Sequence, residues 1–143
     1  MLTAPLDRVA IARLVPHAGE MCLLDRALSW DATHILCESS RHLDPANPLR
    51  RDDLLPAICG AEFALQAMAL HGAVGAAAPQ PVGFVTSLRE VDLMVERLDV
   101  FAAPLRIEAE ALVAEAGGFI YRFGIFSDGR PLLRGQATVI LSK

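Results

Sequence analysis

The stretch "LPAICGAEFALQAMALHGA", Leu55 to Ala73, is small and apolar almost throughout, yet it carries one carboxylate, Glu62, with Gln66 one helical turn further on. No charged residue stands within seven positions of Glu62 on either side. An acid in such surroundings is costly to bury without a partner, and functional sites are where such groups collect. Two readings stand side by side. One is a structural carboxylate bonded to a backbone amide or to an arginine from a strand; the other is a group that gives or takes a proton in acid–base chemistry. Two opposing effects act on a carboxyl so placed, because the positive end of a helix favours the anion while desolvation favours the neutral acid.

The elements that must position Glu62 follow from length, composition and periodicity. A chain of 143 residues fits one domain, 1–143, and 53% hydrophobic against 21% charged residues is enough to bury a core. The net charge of -4 and a single lysine, at the C-terminus, argue against a nucleic-acid partner. Three cysteines form no CxxC pair and suit a reducing cytoplasm, the expected location. The opening "MLTAPLDRVAIARLV" is interrupted by Pro5, Asp7, Arg8 and Arg13, so a secretory signal is not expected. Ile58 to Ala78 approaches membrane-spanning length, but Glu62, Gln66, His71 and three glycines favour a buried helix over a membrane span.

Leu6 to Val15 reads as a short helix stopped by Pro16. Met21 to Trp30 and Thr33 to Arg41 read as a hairpin turning at "SWDAT". The proline-rich "HLDPANPLRRDDLLP" is an ordered loop, in which Asp52 or Asp53 is expected to cap the long helix or its approach. After that helix the period changes to two. "VGFVTSLREVDLMV", "LRIEAEALVAE", "FIYRFGIFS" and "LLRGQATVIL" are strands linked by short turns, hence antiparallel. One long helix is available to cover them, so the sheet should curl around it, giving an α+β architecture.

At this point the residues resemble a known family. A curled antiparallel sheet around one central apolar helix is the hotdog fold, and "PHAGEMCLLDR", Pro16 to Arg26, resembles the "PHRxPFLLVDR" opening of bacterial 3-hydroxyacyl-acyl-carrier-protein dehydratases. Their helix reads roughly "FPGVLxxEAxAQ"; "LPAICGAEFALQ" places Pro56 on the family proline, Glu62 on the catalytic acid and Gln66 on the glutamine that follows. More narrowly, "NPLR" with "CGAEFALQAMALHGA" is similar to the ApeP-type dehydratase-like proteins of aryl polyene biosynthesis. The chain departs from typical dehydratases in one respect. Their "GHFPG" segment supplies the catalytic histidine, and "NPLRRDDLLP" in that region contains none.

The resemblance implies dehydration of 3-hydroxyacyl thioesters to trans-2-enoyl thioesters, with no cofactor and no metal, on chains carried by the phosphopantetheine of an acyl carrier protein. Glu62 would be the acid and Gln66 its support at i+4. Pro56, Ala57 and Ile58 would line the substrate, with the Ala57 N–H aimed at the thioester oxygen. His17 in the first motif and His42 at the end of the second strand are candidates for the missing base, while His71, over two turns beyond Glu62, reads as a core or interface residue. A third source is a histidine-bearing paralogue, which would make this chain one half of a heterodimer rather than a homodimer. Arg50 and Arg51 are candidates for contact with the acidic carrier protein or its phosphate. Two other functions remain open: thioester hydrolysis, since hotdog thioesterases also place a carboxylate on this helix, and a non-catalytic partner of a complete dehydratase. His34 and Cys37, three apart on a strand, point to opposite faces and make a poor metal pair. Cys59 sits near a helix start, which favours thiolate, but no histidine stands beside it, and it reads as a small core residue.

Overall fold

In the computed structural model, which describes residues 2–15, 19–77, 83–115 and 117–141, seven strands form one antiparallel sheet in the order β1-β2-β3-β5-β6-β7-β4. The strands are β1 Leu6–Asp7, β2 Arg26–Trp30, β3 His34–Ser39, β4 Gly83–Leu93, β5 Leu105–Glu115, β6 Gly118–Ser127 and β7 Arg130–Leu141. The helices are α1 Arg8–Leu14 and the long α2, Gly60–Ala76. The sheet curls around α2, which packs on β3, β5 and β6. This is the hotdog architecture expected from the sequence.

Alternation decides which side each strand buries. Ile35 and Cys37 of β3, Leu105, Ile107 and Ala109 of β5, and Tyr121, Phe123 and Ile125 of β6 all face the helix and are buried. Arg106, Glu108 and Glu110 face outward, pairing across strands as Arg106 with Glu38 and Glu110 with Arg122. α2 has almost no polar face, and it meets apolar side chains nearly all round: Ala61, Phe63, Ala64, Ala67, Met68, Leu70 and Val74 are buried. By length and apolarity the helical stretch Ala57–Ala76 could cross a membrane, but here most of it is covered by the sheet.

Two departures from the sequence reading have physical causes. The first expected strand is shorter, because residues 22–25 form an extended strap in which the backbone of Leu23 is satisfied by side chains instead of a ladder. The Leu23 N–H donates to Gln66 Oε1 (2.9 Å), and the Ser39 hydroxyl donates a short hydrogen bond to the Leu23 carbonyl. The second concerns β4. Instead of forming a hairpin with β5 it pairs with β7, at the edge of the sheet, and the connection 94–104 crosses back to begin β5 beside β3. Crossing the sheet brings residues 96–99 alongside the start of α2.

His71, as expected, belongs to the core. Its Nε2 donates to the Asp31 carbonyl (2.9 Å), which leaves Nδ1 to accept from the Tyr121 hydroxyl (2.7 Å). Burial pushes the Tyr121 phenol up to about 12, so it remains a donor. Tyr121→Phe strips the buried Nδ1 of its partner and should lower stability by about 1–3 kcal/mol, read as a shifted urea midpoint at unchanged m.

Candidate active site

α2 begins without a side-chain cap. The chain reaches it through a 3-10 turn, Ala57–Cys59, with Cys59 at the cap position and no side-chain hydrogen bond there. Asp52 and Asp53 are not caps. Both have positive φ, 52° and 61°, and form the tip of a two-residue turn closed by Arg51 N–H to Leu54 O (2.8 Å) and Leu54 N–H to Arg51 O (2.9 Å). Short acidic side chains tolerate that left-handed backbone better than most, which is what this turn asks of them. Gly60 lets the helix start press on β7, since a Cβ there would lie 2.6 Å from Leu133 Cδ2.

Glu62 lies in the first turn of α2 and is half-buried, between the buried Ala61 and Phe63. Ile58, on the preceding turn, is 46% exposed, so the chain opens to the surface just ahead of the helix. Pro56 is half-buried and lies opposite Arg97. Ala57 does not offer the donor expected of it, because its N–H is taken by the Glu96 carbonyl (3.0 Å). Among the described residues no acceptor meets the next N–H, that of Ile58, so it is the donor left for a ligand. The first N–H groups of a helix lack intrahelical partners by construction, and the helix dipole adds to their pull on an anion.

Gln66 is fully buried, and its described hydrogen bonds run to the strap rather than to the acid: Oε1 accepts from Leu23 N–H, and Nε2 donates to the Met21 carbonyl (2.7 Å). It holds the Met21–Leu23 part of the first motif against α2. Arg50 is likewise engaged. Its guanidinium donates to three backbone carbonyls, Asp44 (2.9 Å), Asp53 (2.8 Å) and His42 (3.1 Å), so it organises the loop, whereas Arg51 bonds to the Pro48 and Arg50 carbonyls and is exposed. Cys59 is no thiolate; burial pushes its thiol up, with the Glu62 carboxylate adding to the rise against the Arg51 guanidinium, which lowers it. Cys37 is fully buried on the inner face while His34 faces outward, as strand alternation requires.

The described histidines are all placed elsewhere in the fold. His17 lies outside the described residues. His42 is not at a strand end but inside a 3-10 turn, Arg41–Leu43, fully buried, with Nε2 against the Phe101 carbonyl at 2.7 Å. It pins the 41–43 turn to the 101–103 connection, and its buried Nδ1 meets no partner among the described residues. His71 is committed to Tyr121 and Asp31, and His34 stands on the far side of the sheet from α2. The sequence reading missed Asp99. Its carboxylate accepts from the Leu55 N–H (2.9 Å) just ahead of the helix, and Arg97 holds it well below the usual carboxylate range. The signal available was an arginine two residues before an aspartate in "ERLD".

An antiparallel sheet curled around one long helix, with a carboxylate in the helix's first turn, places the chain in the hotdog class of folds. The chain belongs to the ApeP-like dehydratase family, whose model, described as ApeP dehydratase, matches residues 9–143. Among solved structures it resembles the dehydratase heterocomplex ApeI:P from Xenorhabdus doucetiae at 19% identity, covering 93% of this chain and 91% of that one with a TM-score of 0.83. It also resembles AziG from S. sahachiroi (13% identity, 80% and 88% covered, TM-score 0.59). A third is a hypothetical thioesterase with coenzyme A from Streptococcus pneumoniae TIGR4 (12% identity, 80% and 82% covered, TM-score 0.56). At these identities the likeness is one of fold. No curated protein sequence matches the chain.

His42 gives the site region a pH-dependent anchor. Burial lowers its pKa below the ordinary 6.5, with Arg50 adding to the effect against the Phe101 and Ala103 carbonyls and Asp99. The folded state therefore resists a proton that the unfolded chain takes up near 6.5. Stability from this group is complete above 6.5 and falls as the pH drops below it, by at most about 1.4 kcal/mol per pH unit. Thermal melts between pH 7 and 5 should show this slope in the parent and a shallower one in His42→Leu.

Proposed function

We propose that this protein supplies the acid of a cytoplasmic, heteromeric dehydratase that converts 3-hydroxyacyl chains, carried as thioesters on an acyl carrier protein, to trans-2-enoyl thioesters. The observation that carries the reading is the half-buried Glu62 in the first turn of α2, one turn from the Ile58 N–H, which meets no acceptor among the described residues. The substrate carbonyl oxygen would accept from that N–H, which stabilises the charge that develops as a base removes the proton beside the carbonyl. The Glu62 carboxyl would hand its proton to the hydroxyl on the next carbon. Water leaves, a carbon–carbon double bond forms, and the proton taken by the base balances the one given by the acid.

The base is assigned to a histidine-bearing paralogue because "NPLRRDDLLP" lacks the histidine that typical dehydratases carry there, and His34, His42 and His71 are buried, bonded or on the outer sheet face, while His17 lies outside the described residues. The surface for that paralogue is β4. It is an edge strand, and its inner face carries Val85, Leu88 and Leu93 at 41%, 41% and 46% exposure, beyond the strands on which α2 packs. A long apolar edge left bare invites pairing with another sheet. Arg51, the exposed member of the arginine pair, is the contact for the carrier protein's acidic surface or phosphate.

The test compares parent and Glu62→Gln in complex with the paralogue, following the absorbance of the conjugated enoyl thioester. Glu62→Gln should lower the rate by about 100-fold or more. Release of free thiol without enoyl formation would establish hydrolysis instead, and full activity of Glu62→Gln would reduce this chain to a supporting subunit. Leu88→Arg should abolish co-purification with the paralogue while leaving the far-UV circular dichroism spectrum unchanged.

A further inference from the structure

The start of α2 has no side-chain cap, so something else must fix where its first N–H groups point. Residues 96–99 of the β4–β5 connection run beside Leu55, Pro56 and Ala57. Leu98 N–H donates to the Leu55 carbonyl (2.8 Å), Ala57 N–H to the Glu96 carbonyl (3.0 Å), and Pro56 stands opposite Arg97. Asp99 closes the arrangement. Its Oδ1 accepts from Leu55 N–H (2.9 Å) and Arg97 Nε (3.1 Å), and its Oδ2 accepts a short hydrogen bond from Arg97 Nη2. The Asp99 side chain is 7% exposed and that of Arg97 40%, so the pair is shielded on the carboxylate side.

Leu55 and Leu98 are fully buried and Ala57 nearly so, which leaves the backbone between the Asp99 contact and Ile58 little room to move. Only Pro56, with its fixed φ, and Ala57 separate Leu55 from Ile58. The direction of the Ile58 N–H, and the placement of the helix turn bearing Glu62, are therefore set from Asp99 through three residues of packed chain. A carboxylate is suited to this work, since a hydrogen bond to an ionised acceptor is shorter and stronger than a neutral one.

We propose that Asp99 is a positioning residue of the dehydration site: by accepting the Leu55 N–H and gripping Arg97, it aims the Ile58 N–H at the substrate oxygen and sets Glu62 at working distance. The inference rests on the dehydration reading above and adds to it a residue that touches neither substrate nor acid. Because Arg97 keeps the Asp99 carboxyl ionised far below neutral pH, the brace is intact at every pH at which the reaction would be assayed.

Asp99→Ala, Asp99→Asn and Arg97→Gln are compared with the parent in the complex with the paralogue, Glu62→Gln serving as the reference. Small misplacements at a reacting centre cost large factors in rate, so Asp99→Ala is expected to lower kcat by about tenfold or more with KM within about twofold. Asp99→Asn, which keeps an acceptor for Leu55, should lose less. Arg97→Gln, altering a side chain on the exposed side, keeps the reading accessible if Asp99→Ala does not fold, and should lower kcat by several-fold. Amide hydrogen exchange at Ala57, whose N–H is bonded to the Glu96 carbonyl, should quicken in every variant relative to the parent. Unchanged kcat in the folded variants beside an inactive Glu62→Gln overturns the positioning role alone, as does unchanged exchange at Ala57. Full activity in Glu62→Gln itself overturns the dehydration reading and this role with it.

Discussion

The constraint on which the rest of the molecule depends is that α2 is apolar on nearly every side and must still present one end to a substrate. A helix with a polar face can lie on a sheet; one without it has to be wrapped. Wrapping bends the sheet, places β1–β3 on one side and β5–β7 on the other, and fills the interior with residues from both. It also makes each buried polar group on α2 expensive, so Gln66 and His71 are tied to partners. Gln66 and His71, at successive levels of the same helix, each bridge α2 to backbone in the N-terminal half of the chain. They act as fixed pegs that set the rotation of a helix whose apolar surface alone would not choose one.

The open end needs the opposite treatment. Nothing apolar can seal it without closing the site, and an uncapped helix start with free N–H groups would fray. Here the stiffening comes from polar contacts placed just outside the first turn: the Asp99–Arg97 brace under Leu55, the Ala57 N–H on Glu96, and the Arg50 guanidinium drawing together the carbonyls of His42, Asp44 and Asp53. His42 ties the same loop to the 101–103 connection from inside. The approach to the site is thus held by charge-assisted hydrogen bonds to backbone, while the helix behind it is held by packing.

Much of this was legible in the sequence because it is periodic. The strand alternation of Leu105 to Ala111, the uninterrupted small-residue helix and the single carboxylate within it are local patterns, and each appears where expected. What was not legible depends on which distant segment arrives where. The text from Gly83 to Leu93 states that it is a strand but not that it pairs with β7 across the sheet, and that choice alone carries Asp99 to Leu55. Arg50 and Arg51 look equivalent as letters; one is consumed by three carbonyls and the other faces solvent. Asp52 and Asp53 looked like caps because the residue type suits both a cap and a left-handed turn, and only the chain path chooses between them.

The same logic bears on the loop ahead of α2. It is a clamp that holds itself together: Asp44, Asn47, Arg41 and Arg50 bond to backbone within the 39–53 segment or to one another. Such a loop is rigid and has little side-chain freedom to spare for a reacting group. An ordered loop, a half-buried acid on the first turn of α2 and a bare apolar edge on β4 fit the proposed subunit that meets its complement across an interface.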